Sequence, residues 1–433
     1  MNNSPETAKE SKRSLWTTAG LGVSAVTLVV CVIYDPGKAF DATLQGLSVW
    51  WHIVFPALMP FLMLSEMMMA YGLVHGLGTL FEPLTRRMLR FPGESGYLLP
   101  LGLIAGFPVS AEAAAKLHAQ GKLSGSEASR IAAVSHFCNP MLLIVVIGTG
   151  FMHTPALGVL LAAVHAAAGL AAGATLGWFN RPAPSRAAGL AQDRSSHPDN
   201  GSRRSTPNSL QQGSRKPGSL FQQTVRSIEN ARRLDGRSFG RLLGDTVTAS
   251  VQTLFTVGGY MLIFALVIEV VSRFLPGPFP GYLLPALLEV HLGSFRLAEP
   301  DVLSPAVQAA LLGAALGWGG LCSYFQVRAV LKPSGITSKG FLTARLLHAA
   351  YAYVLTLLLW KPVTSLFPNT LPAYRDLNAG GGIQTSGALP AGLTLPGWDQ
   401  AWGMLGWQSA ALAVLLSGLA AFSFIWRRRL RRN

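Results

Sequence analysis

The chain has 433 residues, of which half are apolar and only 13% are charged, and its mean hydropathy is +0.36. Soluble globular domains carry about 25% charged residues, so this composition argues against a soluble domain and favours a polytopic protein in the lipid bilayer. The net charge of +15 lies in loops and at the chain ends, which is typical of the positive-inside rule rather than of a nucleic-acid-binding face, and three cysteines without a CxxC pair argue against a disulfide or zinc framework.

The first apolar stretch follows Lys9, Lys12 and Arg13 and runs over about 20 residues. It is longer than the core of a secretory signal, so we predict an uncleaved membrane helix in an N-terminal unit, 1–44. Six more stretches have spanning length. The predicted spans are 15–34, 45–72, 126–151, 156–179, 245–274, 340–361 and 404–426.

Two further segments do not have the length or composition of spans, and a C-terminal unit follows the second repeat. Residues 75–91 place apolar residues at helical spacing opposite three arginines, which predicts an amphipathic helix on the cytosolic surface. The insert 181–240 is rich in Ser, Pro, Gly, Asn and Arg, which predicts a disordered basic cytosolic segment. A C-terminal unit, 363–433, holds a polar loop, the last span and the basic sequence RRRLRR.

Two apolar segments are interrupted at their centres. Gly106, Phe107 and Pro108 interrupt residues 97–119, and the sequence GWGG interrupts residues 305–331. Each segment could form two half-length helices that enter the membrane and return. Non-helical backbone at membrane depth is tolerated where it is buried in protein or lines an aqueous cavity, so both segments are predicted re-entrant hairpins.

The order of elements repeats along the chain. The repeats, 45–180 and 241–362, each contain a span, an interrupted hairpin and a further span, and a third span completes each unit. An offset of 214 places Gly106 on Gly320, and a one-residue change then places Arg130 on Arg345. Three crossings per unit invert the second copy, and inverted repeats with paired broken segments point to a secondary transporter.

The predicted topology leaves one question open. Seven spans that begin inside the cell place RRRLRR outside, against the positive-inside rule. Either Gly281–Leu297 crosses as an extra short segment or one span is miscounted.

The broken segments predict the substrate site. A helix break leaves N–H groups unpaired at one end and carbonyls unpaired at the other, and the N-terminal end attracts anions. Two tips meeting in one cavity would suit a small carboxylate or a polar solute such as a nucleoside. Pro140 breaks the third span, and Asn139 beside it places a polar side chain at the same depth. The predicted substrate-binding residues are Gly106, Phe107, Pro108, Ser110, Asn139, Gly319, Gly320, Ser323 and Gln326.

Other polar residues in apolar surroundings are candidates for ion coupling or for lining the cavity. Two isolated carboxylates are expected to face the interior or to pair with Arg130 or Arg345. The alternative for His136 is a hydrogen-bonding role in the core. The alternative for Arg345 is that its side chain snorkels to the membrane surface. The candidates are Glu66, Ser135, His136, Glu289 and Arg345.

The sequence does not predict an enzyme. It lacks GxxxxGK[ST], HExxH and GxSxG motifs. The adjacent Ser135, His136 and Cys138 point in different helical directions, so they cannot act together as nucleophile and base. No cofactor or metal is predicted.

Several motifs together resemble one family. They are FPALMPFLMLSEMMMAYG, GLIAGFPVSAEAAAKL, the Asn139-Pro140 break, LLEVHLGS, GWGGLCSYFQVRAVL and ARLLHAAYAYVLTLLLWKP, in this order between residues 45 and 362. This order and spacing resemble the YlbJ family of sporulation integral membrane proteins, in the nucleoside-transporter and FeoB gate-domain group. The resemblance implies an all-α polytopic fold like that of concentrative nucleoside transporters, with inverted repeats and two re-entrant hairpins.

The resemblance also implies a function. It is transport of dipicolinic acid, a small aromatic dicarboxylate, across the outer forespore membrane of a sporulating bacterium by alternating access. Two alternatives stay open: a transporter of nucleosides or other small solutes, and a membrane docking factor for spore assembly that uses the insert 181–240. The coupling ion, the direction of transport and a homo-oligomeric state are left open.

Overall fold

The computed structural model describes a chain in which all regular structure is helical. No strand occurs in the described ranges, and five helices there are long and apolar enough to cross a membrane. The predicted span 404–426 and most of the insert 181–240 lie outside these ranges. The described residues are 5–91, 95–179, 219–277, 279–299, 303–338 and 340–366.

The N-terminal part contains α1 (Pro5–Tyr34) and one continuous helical rod, Pro36–Ala70. The rod consists of α2 (Pro36–Val49), a π-helical turn (Trp50–Val54) and α3 (Phe55–Ala70). Asp35 begins it by accepting a hydrogen bond from the Lys38 N–H at 3.2 Å, with proline in the first helical position. The predicted span 45–72 is therefore the second part of a longer helix.

Helix α4 (Leu73–Arg87) corresponds to the predicted surface helix 75–91. Its apolar side is buried in protein, where Val74 and Phe81 are almost fully covered. One neighbour is α9 (Leu220–Asp235), which begins within the insert at a Ser219 capping box. The prediction of disorder therefore fails for the end of the insert, because an amphipathic helix there packs against α4.

The first predicted hairpin forms two short helices that fold against each other. They are α5 (Leu98–Ala105) and α6 (Val109–Ala119), and the turn between them is Gly106–Pro108. Gly106 has φ +80°, which glycine adopts without strain, and the Phe107–Pro108 peptide bond is cis. The interruption read from the sequence is thus a tight turn between helices.

The second hairpin differs from the prediction. Residues 305–331 form α13 (Pro305–Trp318) and α14 (Gly320–Leu331), but these two helices pack on different neighbours and not along each other. The segment that folds back is instead α11 (Leu283–Leu288) with α12 (Val290–Ala298), around Glu289. Gly293 allows this because a Cβ there would lie 2.3 Å from the Ala286 Cα.

The remaining helices complete two similar series. In the first, α7 (Gly125–Val134), a break and the π-helix Leu142–Phe151 precede α8 (Pro155–Phe179). In the second, α10 (Phe239–Ser272) precedes the α11–α12 pair, and the broken α13–α14 precedes α15 (Phe341–Leu366). By element order, the hairpin 98–119 therefore matches 283–298, and the broken helix 125–151 matches 305–331. The alignment at an offset of 214 therefore pairs segments of different form. Gly281–Leu297 folds back on itself and does not supply the extra crossing, whereas Pro305–Ser334 is long and apolar enough to cross.

The interior is held together where α15 crosses α8 and α13. Small residues bring the backbones close: a Cβ on Gly317 would lie 2.8 Å from the Ala349 N, and one on Gly169 would lie 2.3 Å from the Phe137 ring. These crossings place the break in α7 beside the break between α13 and α14.

Candidate functional site

The turn of the first hairpin lies against the break in α7. The Phe107 N–H donates to the Phe137 carbonyl at 3.1 Å. The Ser110 hydroxyl donates to the Ser135 carbonyl at 3.0 Å. A Cβ on Gly106 would lie 3.2 Å from the Asn139 Cβ, so the tip has no room for a larger residue. The predicted residues of the turn are thus gathered around one break.

Asn139 and Ser135 satisfy backbone groups at this break. Asn139 Oδ1 accepts the Leu142 N–H at 2.8 Å and so caps the helical turn that leads into the π-helix, while the Ser135 hydroxyl donates to the Ile131 carbonyl at 2.6 Å. The break also recruits a residue from α8, because the Cys138 N–H donates to His165 Nε2 at 3.0 Å. These polar groups hold the irregular backbone in shape.

His136 is the exception among the polar residues of the break. Its side chain is 2% exposed, and neither ring nitrogen has a hydrogen-bond partner. The ring stacks on Phe107 with centroids 4.5 Å apart, and Phe341 meets it edge-on at 5.0 Å. Buried polar atoms are normally paired, so an imidazole with two unpaired nitrogens is a candidate for contact with water or a ligand.

The second break reaches the same imidazole. Gly319 and Gly320 both have positive φ, +82° and +78°, which permits a sharp change of direction between α13 and α14. A Cβ on Gly319 would lie 3.4 Å from His136 Nε2, and one on Gly320 would lie 2.9 Å from the Leu288 carbonyl. Two breaks and the tip of the α11–α12 pair therefore meet.

Arg345 on α15 joins the two breaks. It is 2% exposed and donates to the carbonyls of His136 at 2.5 Å, Ala133 at 2.6 Å and Gly317 at 3.5 Å. These carbonyls lie at the C-terminal ends of two half-helices, where a cation is favourable. Burial at this depth excludes snorkelling to the surface, and the arginine Nε has no partner.

Arg345 also orders two buried histidines that were not among the predicted residues. Its Nη1 lies 3.2 Å from His348 Nδ1, and His348 Nε2 lies 2.9 Å from the His165 carbonyl. Because the guanidinium only donates, Nδ1 of His348 accepts and Nε2 carries the proton. His348 lies three residues after Arg345, a spacing that places both on one helix face; nothing in the local sequence points to His165.

Of the two predicted carboxylates, Glu289 faces the interior as expected and Glu66 does not. Glu289 is buried at the tip of the α11–α12 pair, where it accepts the Leu292 N–H at 2.7 Å and contacts His291 Nδ1 at 2.7 Å. Glu66 is partly exposed and lies 3.6 Å from Arg237, beside α9. Neither forms an ion pair with Arg130 or Arg345, and Glu66 lies away from the breaks.

The last two predicted residues lie on α14 and interact locally. The Ser323 hydroxyl donates to the Gly320 carbonyl at 3.0 Å, and Gln326 Nε2 donates to Cys322 Sγ at 3.2 Å. Both side chains are buried next to the second break. Within the described residues, no three His, Cys, Asp or Glu side chains lie together as a metal site would require.

A comparison with known proteins identifies the family. The sporulation integral membrane protein YlbJ of Bacillus subtilis (strain 168) is 33% identical over 371 residues, which cover 81% of this chain and 85% of that protein. The chain belongs to the YlbJ family. Together with the apolar helices, this membership makes it an integral membrane protein. No protein-family model and no solved structure matches the chain.

Proposed function

We propose that this YlbJ-family protein is a secondary transporter that moves dipicolinate, a small aromatic dicarboxylate, across the outer forespore membrane of a sporulating bacterium. The relative's name gives it a role in sporulation and a place in the membrane. The substrate follows from the family resemblance and from the chemistry of the site. No bound group is required as a cofactor in this proposal.

The observation that carries the proposal is the orphaned imidazole of His136. It offers two hydrogen-bonding nitrogens at a buried point beside an aromatic ring, Phe107. Its N–H can donate to a carboxylate oxygen of a planar dicarboxylate, and Phe107 offers a face for the aromatic ring. The adjacent guanidinium of Arg345 makes this region electropositive and so favours an anion over a neutral nucleoside.

The proposed mechanism is alternating access around this site. We infer that the hairpins α5–α6 and α11–α12 are re-entrant and that the two series of elements are inverted repeats. The repeated order of span, hairpin, broken helix and span supports this inference. Broken helices at the substrate are tolerated because protein surrounds the irregular backbone.

Uptake of labelled dipicolinate into liposomes that hold the purified full chain tests the proposal. Uptake should be saturable and should be inhibited by unlabelled dipicolinate more strongly than by uridine. Inhibition by uridine alone would favour the nucleoside alternative. Absence of uptake of both compounds, in protein that remains folded, would count against a transporter.

A deletion within the insert separates transport from docking. Residues 190–212 precede α9, so their removal leaves the packing of α9 on α4 in place. A transporter should keep its dipicolinate uptake and its function in sporulation after this deletion. A docking factor that uses the insert should lose its function in sporulation.

A further inference from the structure

We propose that Glu289 and His291 form a proton-binding site that couples the movement of substrate to a proton gradient. This inference rests on the proposed transport function. It assigns the coupling ion, a proton, to a named pair of side chains at the tip of the α11–α12 hairpin.

The pair is buried and in direct contact. Glu289 is 2% and His291 5% exposed, and Glu289 Oε1 lies 2.7 Å from His291 Nδ1. The other carboxylate oxygen, Oε2, accepts the Leu292 N–H at 2.7 Å, so Glu289 also caps the N-terminal end of α12. Ser294, one turn further along α12, has a fully buried hydroxyl without a hydrogen-bond partner.

The helices that pack around Glu289 offer few titratable side chains, so the charge next to its carboxylate depends on His291. Helix α13 and the π-helix Leu142–Phe151, which both pack on α12, contain no titratable side chain. Cys322 on α14 and Cys138 at the α7 break lie within electrostatic range of Glu289.

The nearby charges on α10 and α12 are paired elsewhere. Glu269 on α10 contacts Arg273 at 3.1 Å, and Arg296 on α12 contacts Glu299 at 2.9 Å. Within the described residues, the Glu289 carboxylate contacts His291 and forms no ion pair with an arginine or lysine. A buried carboxylate without a cation is costly, so a protonated His291 stabilises the pair as a neutral unit. Histidine is the side chain that changes its charge between pH 5 and 8.

The position of the pair connects this protonation to the substrate site. The backbone of Leu288 and Glu289 lies so close to Gly320 that a Cβ there would be 2.9 Å from the Leu288 carbonyl oxygen. The adjoining Gly319 lies beside His136. An anion that enters at His136 adds negative charge near Glu289, which favours proton binding at His291. A proton at His291 in turn favours the anion, since coupling between two sites is reciprocal. The proton is taken from water on one side of the membrane and released to water on the other, and no covalent bond to carbon changes.

The experiment compares wild type, His291→Gln, Glu289→Gln and His52→Gln in liposomes. His52 is an exposed histidine and provides the matched control. Two rates are measured: accumulation of labelled dipicolinate driven by a pH gradient, and exchange of labelled for unlabelled dipicolinate without a gradient. His291→Gln and Glu289→Gln should lose at least tenfold of the driven accumulation and keep exchange, while His52→Gln should behave as wild type.

Three outcomes would overturn the assignment. They are a normal response of His291→Gln to the gradient, accumulation by wild type that is insensitive to the gradient, and dipicolinate entry without proton uptake, followed with a trapped pH indicator. The indicator measurement uses wild type alone and so decides the matter even if both variants fail to fold. Absence of exchange in folded wild type would instead refute the proposed transport function.

Discussion

Arg345 donates a hydrogen bond to the carbonyl of His136, 209 positions earlier in the chain, at 2.5 Å. The same guanidinium binds the end of α7 and reaches the end of α13. One buried cation therefore connects the breaks of both series and fixes the backbone that carries the orphaned imidazole. In this account, Arg345 positions the site, and His136 contacts the substrate.

Replacement of Arg345 should destabilise the protein. Arg345→Gln removes donors from buried carbonyls, which costs about 2–5 kcal/mol. Arg345→Lys should fall between this variant and wild type, because an ammonium keeps the charge but cannot reach both breaks in fork geometry. Apparent unfolding temperatures in detergent measure both effects. Arg328→Gln, at an exposed position on α14, is the control, and equal stability of Arg345→Gln and Arg328→Gln would refute the bridging role.

Gly320→Ala should displace the α11–α12 hairpin. A Cβ there would lie 2.9 Å from the Leu288 carbonyl, in addition to the strain of φ +78°. Gly335 has φ +69° but open space around it, so Gly335→Ala measures the strain alone, about 1–2 kcal/mol. We expect Gly320→Ala to be the less stable variant and to bind dipicolinate more weakly. Equal unfolding temperatures and affinities in the two variants would argue against the close contact.

The sequence could predict the first hairpin because its signals are local. Gly106 and Pro108 interrupt an apolar run, and the structure places a turn between helices there. The span 156–179 also agrees closely with α8, since its length and hydropathy decide it.

Other features depend on contacts between distant segments. The sequence GWGG interrupts residues 305–331 as clearly as GFP interrupts residues 97–119. The direction in which the chain continues after such a break depends on the helices that pack around it. The sequence left open whether Gly281–Leu297 crosses the membrane, and the structure shows that it folds back where Glu289 caps α12. Likewise, the environment of His136 depends on α15, about 200 residues away.

Helix α9 should detach when a large side chain is placed between it and α4. A Cβ on Gly76 would lie 2.6 Å from Ile228 Cγ1, so Gly76→Leu forces the helices apart. Trypsin should then cut α9 at Arg226 or Arg233 several-fold faster than in wild type. Gly244→Leu, on α10 with open space around the glycine, should leave the rate unchanged. Unchanged cleavage in Gly76→Leu would contradict the packing of α9 on α4.

The contact of α9 with α3 and α10 should weaken in acid. A hydrogen bond from Arg237 lowers the pKa of Asp235, and Arg237 also contacts Glu66 and Asp245. A carboxyl whose pKa is lower in the folded state stabilises above its unfolded pKa, near 4, and loses that contribution as the pH falls through the folded value. Protection of α9 from an acid-active protease should drop below about pH 4 in wild type. Asp235→Asn should be less protected at pH 7 and should show a smaller drop; identical pH profiles would exclude this role of Asp235.

Equilibrium binding of labelled dipicolinate to the purified full chain tests the central claim most directly. His136→Phe keeps the stack on Phe107 and removes both ring nitrogens, whereas His75→Phe makes the same change at a histidine stacked on Tyr97, away from the breaks. The account predicts at least tenfold weaker binding by His136→Phe and wild-type affinity in His75→Phe. Wild-type affinity in a folded His136→Phe variant would contradict it.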